Sequence, residues 1–434
     1  MELIEITIGG FKNLKRTTIN FLGNNIISLI APNNYGKSNF LDGIDFAQTF
    51  IHSSTRQRKE LLNSPFVIPI NKFNDTTNFY FEFIARLKEN KKDQLIKYSL
   101  ELEWAKTKQK NPGKVISESF SIKGDSPNSK FKLLFRRNQN NATYLSSPKG
   151  RCDTQILIND DELLLNKLSN YDSLFYNYYL KSFLSIDLHI SKLFDIDFFV
   201  GGINITNNPS SDLDDGRNIL KFLYFLKKDK PSQYQLLINS LIDLIPEIEY
   251  IKPIEIDLKK VANDKNLEDP PFELPEKIYD LRVKEINNNQ ETSIVYLSTG
   301  TKRILAILAL AVSKDDNNTC LLAYEELENS IHPSLLQKLL IILTEIASKV
   351  KILISSHSPY LIQYLPLDSA YLGLPNKKGL AGFSKLKSTK QKSILNIVSE
   401  ENISLGDYLF DLLLQPEIDK NFLDEYFNYQ VGDF

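Results

Sequence analysis

An apolar run, Ile26-Ile27-Ser28-Leu29-Ile30, passes into Ala31-Pro32-Asn33-Asn34-Tyr35-Gly36-Lys37-Ser38 and then into a helix-patterned stretch from Asn39 to Ile51. This strand–loop–helix unit constrains the fold more than any other feature of the chain. A strand so apolar belongs inside a sheet, and the helix must start where the loop ends. Successive loop N–H groups then open onto a helix N-terminus and form a concave anion site. The spacing approaches G-x-x-x-x-G-K-[ST], with Ala31 in place of the first glycine. In such a loop Gly36 lets the backbone approach phosphate, Lys37 reaches the β- and γ-phosphates, and the Ser38 hydroxyl binds Mg2+.

Two later segments complete a nucleotide site. The run Cys320-Leu321-Leu322-Ala323-Tyr324 ends in Glu325-Glu326, which puts two carboxylates at the carboxyl edge of a sheet, where ligands bind in α/β folds. One carboxylate would hold Mg2+, directly or through water; the next residue points the other way and could position the attacking water. Leu297-Ser298-Thr299-Gly300 is a serine/glycine turn at a helix start. It can face an anion, and a plain N-cap accounts for it equally well. A third apolar strand, Ile352-Leu353-Ile354-Ser355-Ser356, ends at His357. That histidine either donates to a γ-phosphate or caps a backbone group of its own loop. The P-loop, serine/glycine turn and acid pair, in this order, point to ATP binding.

The chain has 434 residues, enough for two or three domains. Its 52 basic and 54 acidic side chains leave a formal charge of −2, so any contact with a polyanion must be local. Only Cys152 and Cys320 are present, which excludes a disulfide scaffold and fits a reducing compartment. The start of the chain lacks a signal-peptide pattern, and Ile304 to Val312 falls short of the roughly 18 residues that span a bilayer. The expectation is a cytoplasmic protein without a membrane contact.

Alternation predicts strands at 2–8, 17–21 and 26–30. It is strict where Ile96, Tyr98, Leu100, Leu102 and Trp104 interleave with Lys97, Ser99, Glu101 and Glu103. An antiparallel meander over 78–146 follows, broken at Asn111-Pro112-Gly113 and Gly124-Asp125-Ser126-Pro127. From 160 to 250 the pattern is helical, with Tyr234, Leu237, Ile238, Leu241, Ile242 and Ile245 on one face of a helix after Pro231. Pro270-Pro271 marks a connector. The α/β pattern then resumes, with a strand at 279–286, a helix at 301–313, a strand at 319–324, a helix at 333–348 and a strand at 351–355. The expected division is 1–150 for an N-terminal lobe with the P-loop and meander, 151–275 for a helical insertion, 276–370 for a C-terminal lobe, and 371–434 for a tail.

These residues together resemble the ABC-type ATPase heads of the RecF, SMC and OLD group. Gly10-Phe11-Lys12-Asn13 stands where their F-[RK]-[NS] turn is usual. Glu325-Glu326-Leu327-Glu328-Asn329-Ser330-Ile331-His332-Pro333 is similar to their D-E-P-E-x-x-L-H-P, and Ser355-Ser356-His357-Ser358-Pro359 to their [ST]-T-H-S-P. The departures are Ala31, Glu325 for Asp and Leu327 for Pro. The resemblance implies an α/β fold, a P-loop ATPase head with mixed sheet, flanking helices, antiparallel meander and helical insertion. It implies ATP and Mg2+ as cofactors, with Asn33, Asn34, Tyr35, Gly36, Lys37, Ser38, Asn39 and Lys12 around the nucleotide, and Ser38 and Glu325 on the metal. Glu326 is then the catalytic base, His357 the switch histidine and Lys37 the catalytic cation. Ser298 and Gly300 act on the nucleotide of a partner protomer, so a homodimer or higher oligomer with composite ATP sites is expected.

OLD-type proteins carry a TOPRIM nuclease after the histidine motif, whereas residues 358–434 here contain no Asp-x-Asp pair. The four histidines are His52, His189, His332 and His357, too few for an HNH nuclease beside the motifs. In this respect the chain resembles the stand-alone ATPase subunits of anti-phage systems such as Septu and PARIS. That implies a separate effector, a nuclease of HNH or TOPRIM type or a toxin. A RecF-like repair ATPase and a nucleotide-bound scaffold are the alternatives. Two basic stretches are either solvated loops or DNA contacts. They are Lys106, Lys108, Lys110, Lys114, Lys130, Lys132, Arg136 and Arg137, and Lys377, Lys378, Lys385, Lys387, Lys390 and Lys392. The end of the chain, with Leu409, Leu412, Leu413, Phe422, Tyr426 and Tyr429, must pack on a partner or on itself.

Overall fold

The structure, a computed structural model, describes residues 1–64, 69, 77–89, 92–105, 112–126, 128–191, 219–258, 277–315, 318–347, 349–374, 378–415, 422 and 425–427. Its strands are β1 (Glu2–Gly9), β2 (Thr17–Asn20), β3 (Ile26–Ile30), β4 (Phe79–Glu89), β5 (Lys92–Glu103), β6 (Lys114–Gly124), β7 (Lys132–Asn138), β8 (Asn141–Leu145), β9 (Cys152–Leu157), β10 (Asp187–Ser191), β11 (Ile248–Asp257), β12 (Lys277–Glu285), β13 (Thr292–Ser293), β14 (Thr319–Glu325), β15 (Lys351–Ser356), β16 (Ala370–Gly373) and β17 (Phe383–Lys385). The chain divides into two compact units. One comprises Met1–Ile190, Asn318–Leu327 and Lys349–Phe434; the other comprises Ser191–Asn317 and Glu328–Ser348.

The first unit holds two sheets. One is antiparallel, in the order β2-β1-β4-β5-β6-β7-β8-β9. The alternation in β5 has its expected result: Ile96, Tyr98, Leu100 and Leu102 are buried, and Lys97, Ser99 and Glu101 are not. The meander runs beyond 146 to Leu157 and, through β4, takes in β1 and β2. The sequence hides β9 because it is an edge strand with no buried face, and Leu157 itself is 88% exposed. The second sheet has the order β10-β14-β15-β3-β16-β17. Strands β14, β15, β3 and β16 run parallel, and β17 returns antiparallel to β16. The stretch that reads as helical contains β10, whose short Asp-Leu-His-Ile-Ser pattern takes its strand character from pairing beside β14.

The helix Lys37–His52 packs its apolar residues into one core with the inner faces of both sheets. Phe40, Ile44, Phe46 and Phe50 meet Ile6 and Ile8 of β1, Phe79 and Phe81 of β4, and Leu353 of β15. Each such side chain removed from water contributes about 1.5–3 kcal/mol. A second core covers the opposite face of the parallel sheet, where Ile30, Ala370 and Leu372 meet Ile394, Val398, Leu409, Leu412, Leu413 and Phe427. The C-terminal tail therefore packs on its own unit, and Phe422 stacks on Tyr426 with centroids 4.4 Å apart. Asn111, Pro127, Pro270-Pro271, Lys106, Lys108, Lys110, Lys377 and Tyr429 lie outside the described residues.

The second unit contains the antiparallel sheet β11-β12-β13. The helices Ile219–Asp229 and Pro231–Leu244 bury Leu223, Leu226, Leu237 and Leu241, and Tyr234 donates from its hydroxyl to Ile251 O at 2.9 Å. The helices Thr299–Asp315 and Pro333–Ile346 complete it, with every residue from Ile304 to Val312 buried. Among the described residues no helix is long and apolar enough to cross a membrane.

One buried carboxylate ties the meander to the helices that follow it. Glu118 of β6 is 1% exposed and accepts from the N–H groups of Leu164 and Leu165, at 2.6 and 2.9 Å, and from the Tyr98 hydroxyl at 3.2 Å. Burial pushes its carboxyl above the usual range, against the pull of these N–H donors and of Arg137. Replacing Glu118 with Ala orphans two buried N–H groups, and urea unfolding is expected to show a loss of about 2–4 kcal/mol. A loss below about 1 kcal/mol would remove Glu118 as the tie.

Candidate functional site

The site begins at the carboxyl ends of three neighbouring parallel strands, β3, β15 and β14. Each ends in a sequence-predicted element: the loop Ala31–Ser38 after β3, His357 after β15, and Glu325-Glu326 at the end of β14. Ala31 is fully buried, and its N–H donates to Ser356 O at 3.3 Å. Its methyl group, where the loop pattern has glycine, is accommodated from the next strand. A Cβ on Gly373 of β16 would lie 2.6 Å from the Ala31 Cβ, and Gly373 has none.

Asn33, Asn34 and Ser38 are exposed along the loop, and Asn34 takes a left-handed φ of 60°. The helix Lys37–His52 starts without a side-chain cap on its first N–H groups, so these face outward into the loop. Lys37 is 6% exposed, and its ammonium donates to Ala31 O at 2.7 Å and Pro32 O at 3.0 Å. Those contacts hold the cation inside the curl of the loop. The Ser38 hydroxyl donates to Glu325 Oε1. A hydroxyl and a carboxylate oxygen side by side and open to solvent fit Mg2+, which takes few protein ligands and fills its octahedron with water and phosphate oxygens.

Glu326 follows with a left-handed φ of 49°, and its N–H donates to Ser355 O at 2.9 Å. Its Oε1 lies 3.5 Å from His357 Nδ1, and the two side chains are 38% and 37% exposed. The adjacent acids therefore separate, Glu325 to Ser38 and Glu326 to His357. Ser356 Oγ accepts from Ser358 N at 2.9 Å, and Ser358 caps the helix Pro359–Tyr364 through Tyr360 N, which fixes the turn that carries His357.

Three further residues predicted around the nucleotide have side chains engaged by the protein. Lys12 pairs with Asp42 on the helix Lys37–His52 at 2.7 Å. Asn39 donates to Asn13 Oδ1 at 2.7 Å, and Asn13 donates to Tyr35 O at 3.0 Å. The Tyr35 hydroxyl lies 2.7 Å from Leu374 O and 2.9 Å from Gly382 O. Asn13, Asp42 and Gly373 were missed by sequence reasoning. Only Asn13 carried a signal, as the last residue of the Phe11-Lys12-Asn13 turn.

Ser298 and Gly300 belong to the second unit. Ser298 caps the helix Thr299–Asp315, its Oγ accepting from Thr301 N at 3.1 Å. Gly300 lies against Ser330, where a Cβ would come within 2.6 Å of the Ser330 carbonyl oxygen. His332 also caps a helix, its Nδ1 accepting from Ser334 N at 3.3 Å.

The basic stretches are partly consumed by the fold. Arg137 is 2% exposed and donates to the carbonyls of Gln139, Asn159 and Glu162, which takes it out of any polyanion surface. Lys385 lies over the Tyr371 ring and Lys390 pairs with Glu425. Lys130, Lys132, Arg136, Lys378 and Lys392 are exposed.

The parallel sheet, with the loop on β3 and the acids and histidine on its neighbours, has the arrangement of an ABC-type P-loop ATPase domain. The chain belongs to the family described as "AAA domain, putative AbiEii toxin, Type IV TA system", whose profile matches residues 26–363. No curated protein matches it. Among solved structures it is similar to the SMC head domain from Thermotoga maritima, at 10% identity over 89% of this chain and 100% of that one, with a TM-score of 0.42. It is also similar to an Smc head bound to the C-winged helix domain of ScpA, at 12% identity over 91% and 100%, TM-score 0.48. A third is the Smc head with an extended coiled coil bound to the C-terminal domain of ScpA derived from Pyrococcus furiosus, at 12% identity over 92% and 99%, TM-score 0.39.

Proposed function

We propose that this chain binds ATP with Mg2+, hydrolyses it slowly, and uses nucleotide-driven pairing of two copies to control a separate effector, a nuclease or toxin, in a bacterial anti-phage defence complex. The observation that carries the ATPase reading is the split of two adjacent carboxylates, Glu325 beside Ser38 and Glu326 beside His357. The defence reading rests on the resemblance to stand-alone defence subunits and on the toxin named in the family description.

In this mechanism the loop N–H groups of Asn33 to Ser38 hold the phosphates, and Lys37 turns from the Ala31 and Pro32 carbonyls to the β- and γ-phosphate oxygens. Ser38 and Glu325 would hold Mg2+, which would supply positive charge against the phosphates. Glu326 takes the proton of the attacking water as the water oxygen bonds to the γ-phosphorus and the bond to the β,γ-bridging oxygen breaks, releasing ADP. His357 donates to a γ-phosphate oxygen and so reports whether that group is present. Ser298 and Gly300 of one protomer cover the nucleotide held by the other.

Two variants separate binding from turnover. Lys37→Ala should abolish ATP binding in calorimetry, whereas Glu326→Gln should bind ATP and hydrolyse it ~10²–10⁴-fold more slowly. Wild-type affinity in Lys37→Ala would refute the loop assignment, and full turnover in Glu326→Gln would refute the base.

Composite sites predict complementation. Lys37→Ala and Ser298→Arg protomers, each inactive alone, should regain part of the ATPase rate when mixed, because one shared site is then intact. Subunit-exchanged mixtures with no recovery would refute composite sites.

The effector part predicts pure protein without nuclease activity. Among the described residues no cluster of three His, Cys, Asp or Glu side chains is placed to hold a metal. Pure protein that cut DNA with Mg2+ or Mn2+, and lost that activity on mutation of its own carboxylates, would overturn the separate effector.

A further inference from the structure

One side of the P-loop is built from an N-terminal turn and from residues of β16, of β17 and of Gly379–Gly382 before it. These later residues approach the loop at three points. At the loop's start, Gly373 lies beside Ala31. At its middle, the Tyr35 ring fills the space where a Gly373 Cβ would stand, 2.5 Å from Cε1, and meets Phe383 edge-on at 5.5 Å. The Tyr35 hydroxyl reaches Leu374 O and Gly382 O and accepts from Gly382 N at 3.3 Å. At its end, Gly36 has a φ of 132°, and a Cβ there would lie 2.6 Å from the Ala381 Cβ and 2.9 Å from Asn13 Oδ1. The N-terminal turn closes the arrangement. Ala381 N donates to Asn13 O at 2.9 Å, Lys15 N donates to Ala381 O at 2.8 Å, and Asn13 Nδ2 bonds both Tyr35 O and Gly379 O.

We propose that Tyr35 and Asn13 are positioning residues through which Leu374, at the end of β16, and Gly379–Phe383, leading into β17, hold the P-loop in its phosphate-binding shape. The argument rests on the ATP-binding reading above and adds a dependence that the loop motif does not contain. An anion site made of backbone N–H groups works only if those groups converge before the anion arrives. A loop with a left-handed Asn34 and a Gly36 in a conformation open only to glycine does not hold that shape by itself. Tyr35 and Asn13 supply the restraint, since their polar atoms bond loop and segment backbone. By reciprocity, if the docked segment favours nucleotide, bound nucleotide favours the docked segment.

The test measures affinity, turnover and exchange on the full chain. Tyr35→Phe keeps the ring against Gly373 and Phe383 and removes only the hydroxyl. It should weaken binding of ATP, in the presence of Mg2+, by roughly five- to tenfold, the size of one net hydrogen bond, and leave kcat within about twofold. Asn13→Ala should behave alike. In the wild type, ATP should slow amide exchange at Gly379 to Gly382. Unchanged affinity in Tyr35→Phe, a fall in kcat alone, or exchange at Gly379 to Gly382 indifferent to ATP would overturn the proposal. If the Phe variant fails to fold, the wild-type exchange result decides. A wild-type protein that binds no ATP would refute the nucleotide reading itself, which is a distinct outcome.

Discussion

The burial of β3 on both faces is the constraint on which the site depends. Ile27 and Leu29 join the core shared with the helix Lys37–His52, and Ile30 joins the core made with the C-terminal tail. A strand covered on both sides cannot slip by one residue without exchanging its two side-chain sets and forcing both cores to repack. Ala31 therefore leaves the sheet at a fixed point, between Ser356 on one neighbour and Gly373 on the other. The loop inherits that fixed origin, and so do the first N–H groups of the helix.

The same burial shows why the tail is part of the ATPase unit. An amphipathic end, with Leu409, Leu412 and Leu413 on one face, left both self-packing and a partner open. In the fold it covers the face of β3 and β16 that would otherwise be bare. Gly406 of the tail lies against Pro359, where a Cβ would come within 2.3 Å of the carbonyl oxygen. The helix after His357 thus has a tail helix against its first turn. Ile30 of β3, Ile362 of the helix Pro359–Tyr364 and Leu409, Leu412 and Leu413 of the tail belong to one core.

What was legible in the sequence follows the range of the interaction that sets it. The strand before the loop, the helix after it and β14 and β15 were read correctly because each is a local hydrophobic pattern with a marked end. The interleaving in β5 was legible for the same reason. The short strands β9 and β10 were not: β9 has no buried face, the alternation of β10 runs for only five residues inside a helix-patterned stretch, and pairing with other strands makes them strands. Side-chain direction was the other gap. Position in a loop motif suggested that Tyr35 and Asn39 face a ligand, but motif spacing says nothing of the Leu374 carbonyl or Asn13, which their side chains reach. Arg137 looked like one more cation in a basic stretch, and only three carbonyls around its guanidinium reveal a structural role.

The Glu325-Glu326 pair shows how local backbone geometry can assign chemistry. Successive residues of a strand point to opposite faces, so two adjacent acids at a strand end would place one carboxylate away from the ligand. Strand β14 stops at Glu325, and Glu326 turns into the left-handed region at a φ of 49°. A non-glycine residue there costs of order 1–3 kcal/mol and persists only where its surroundings impose it. The bond from Glu326 N to Ser355 O, on the neighbouring strand, keeps the peptide that enters this turn in the sheet. The turn swings the second carboxylate to His357 while the first stays beside Ser38. A straight strand end would not deliver both acids to the same edge of the sheet, so in the proposed mechanism the left-handed residue is what divides metal binding and proton transfer between neighbours in sequence.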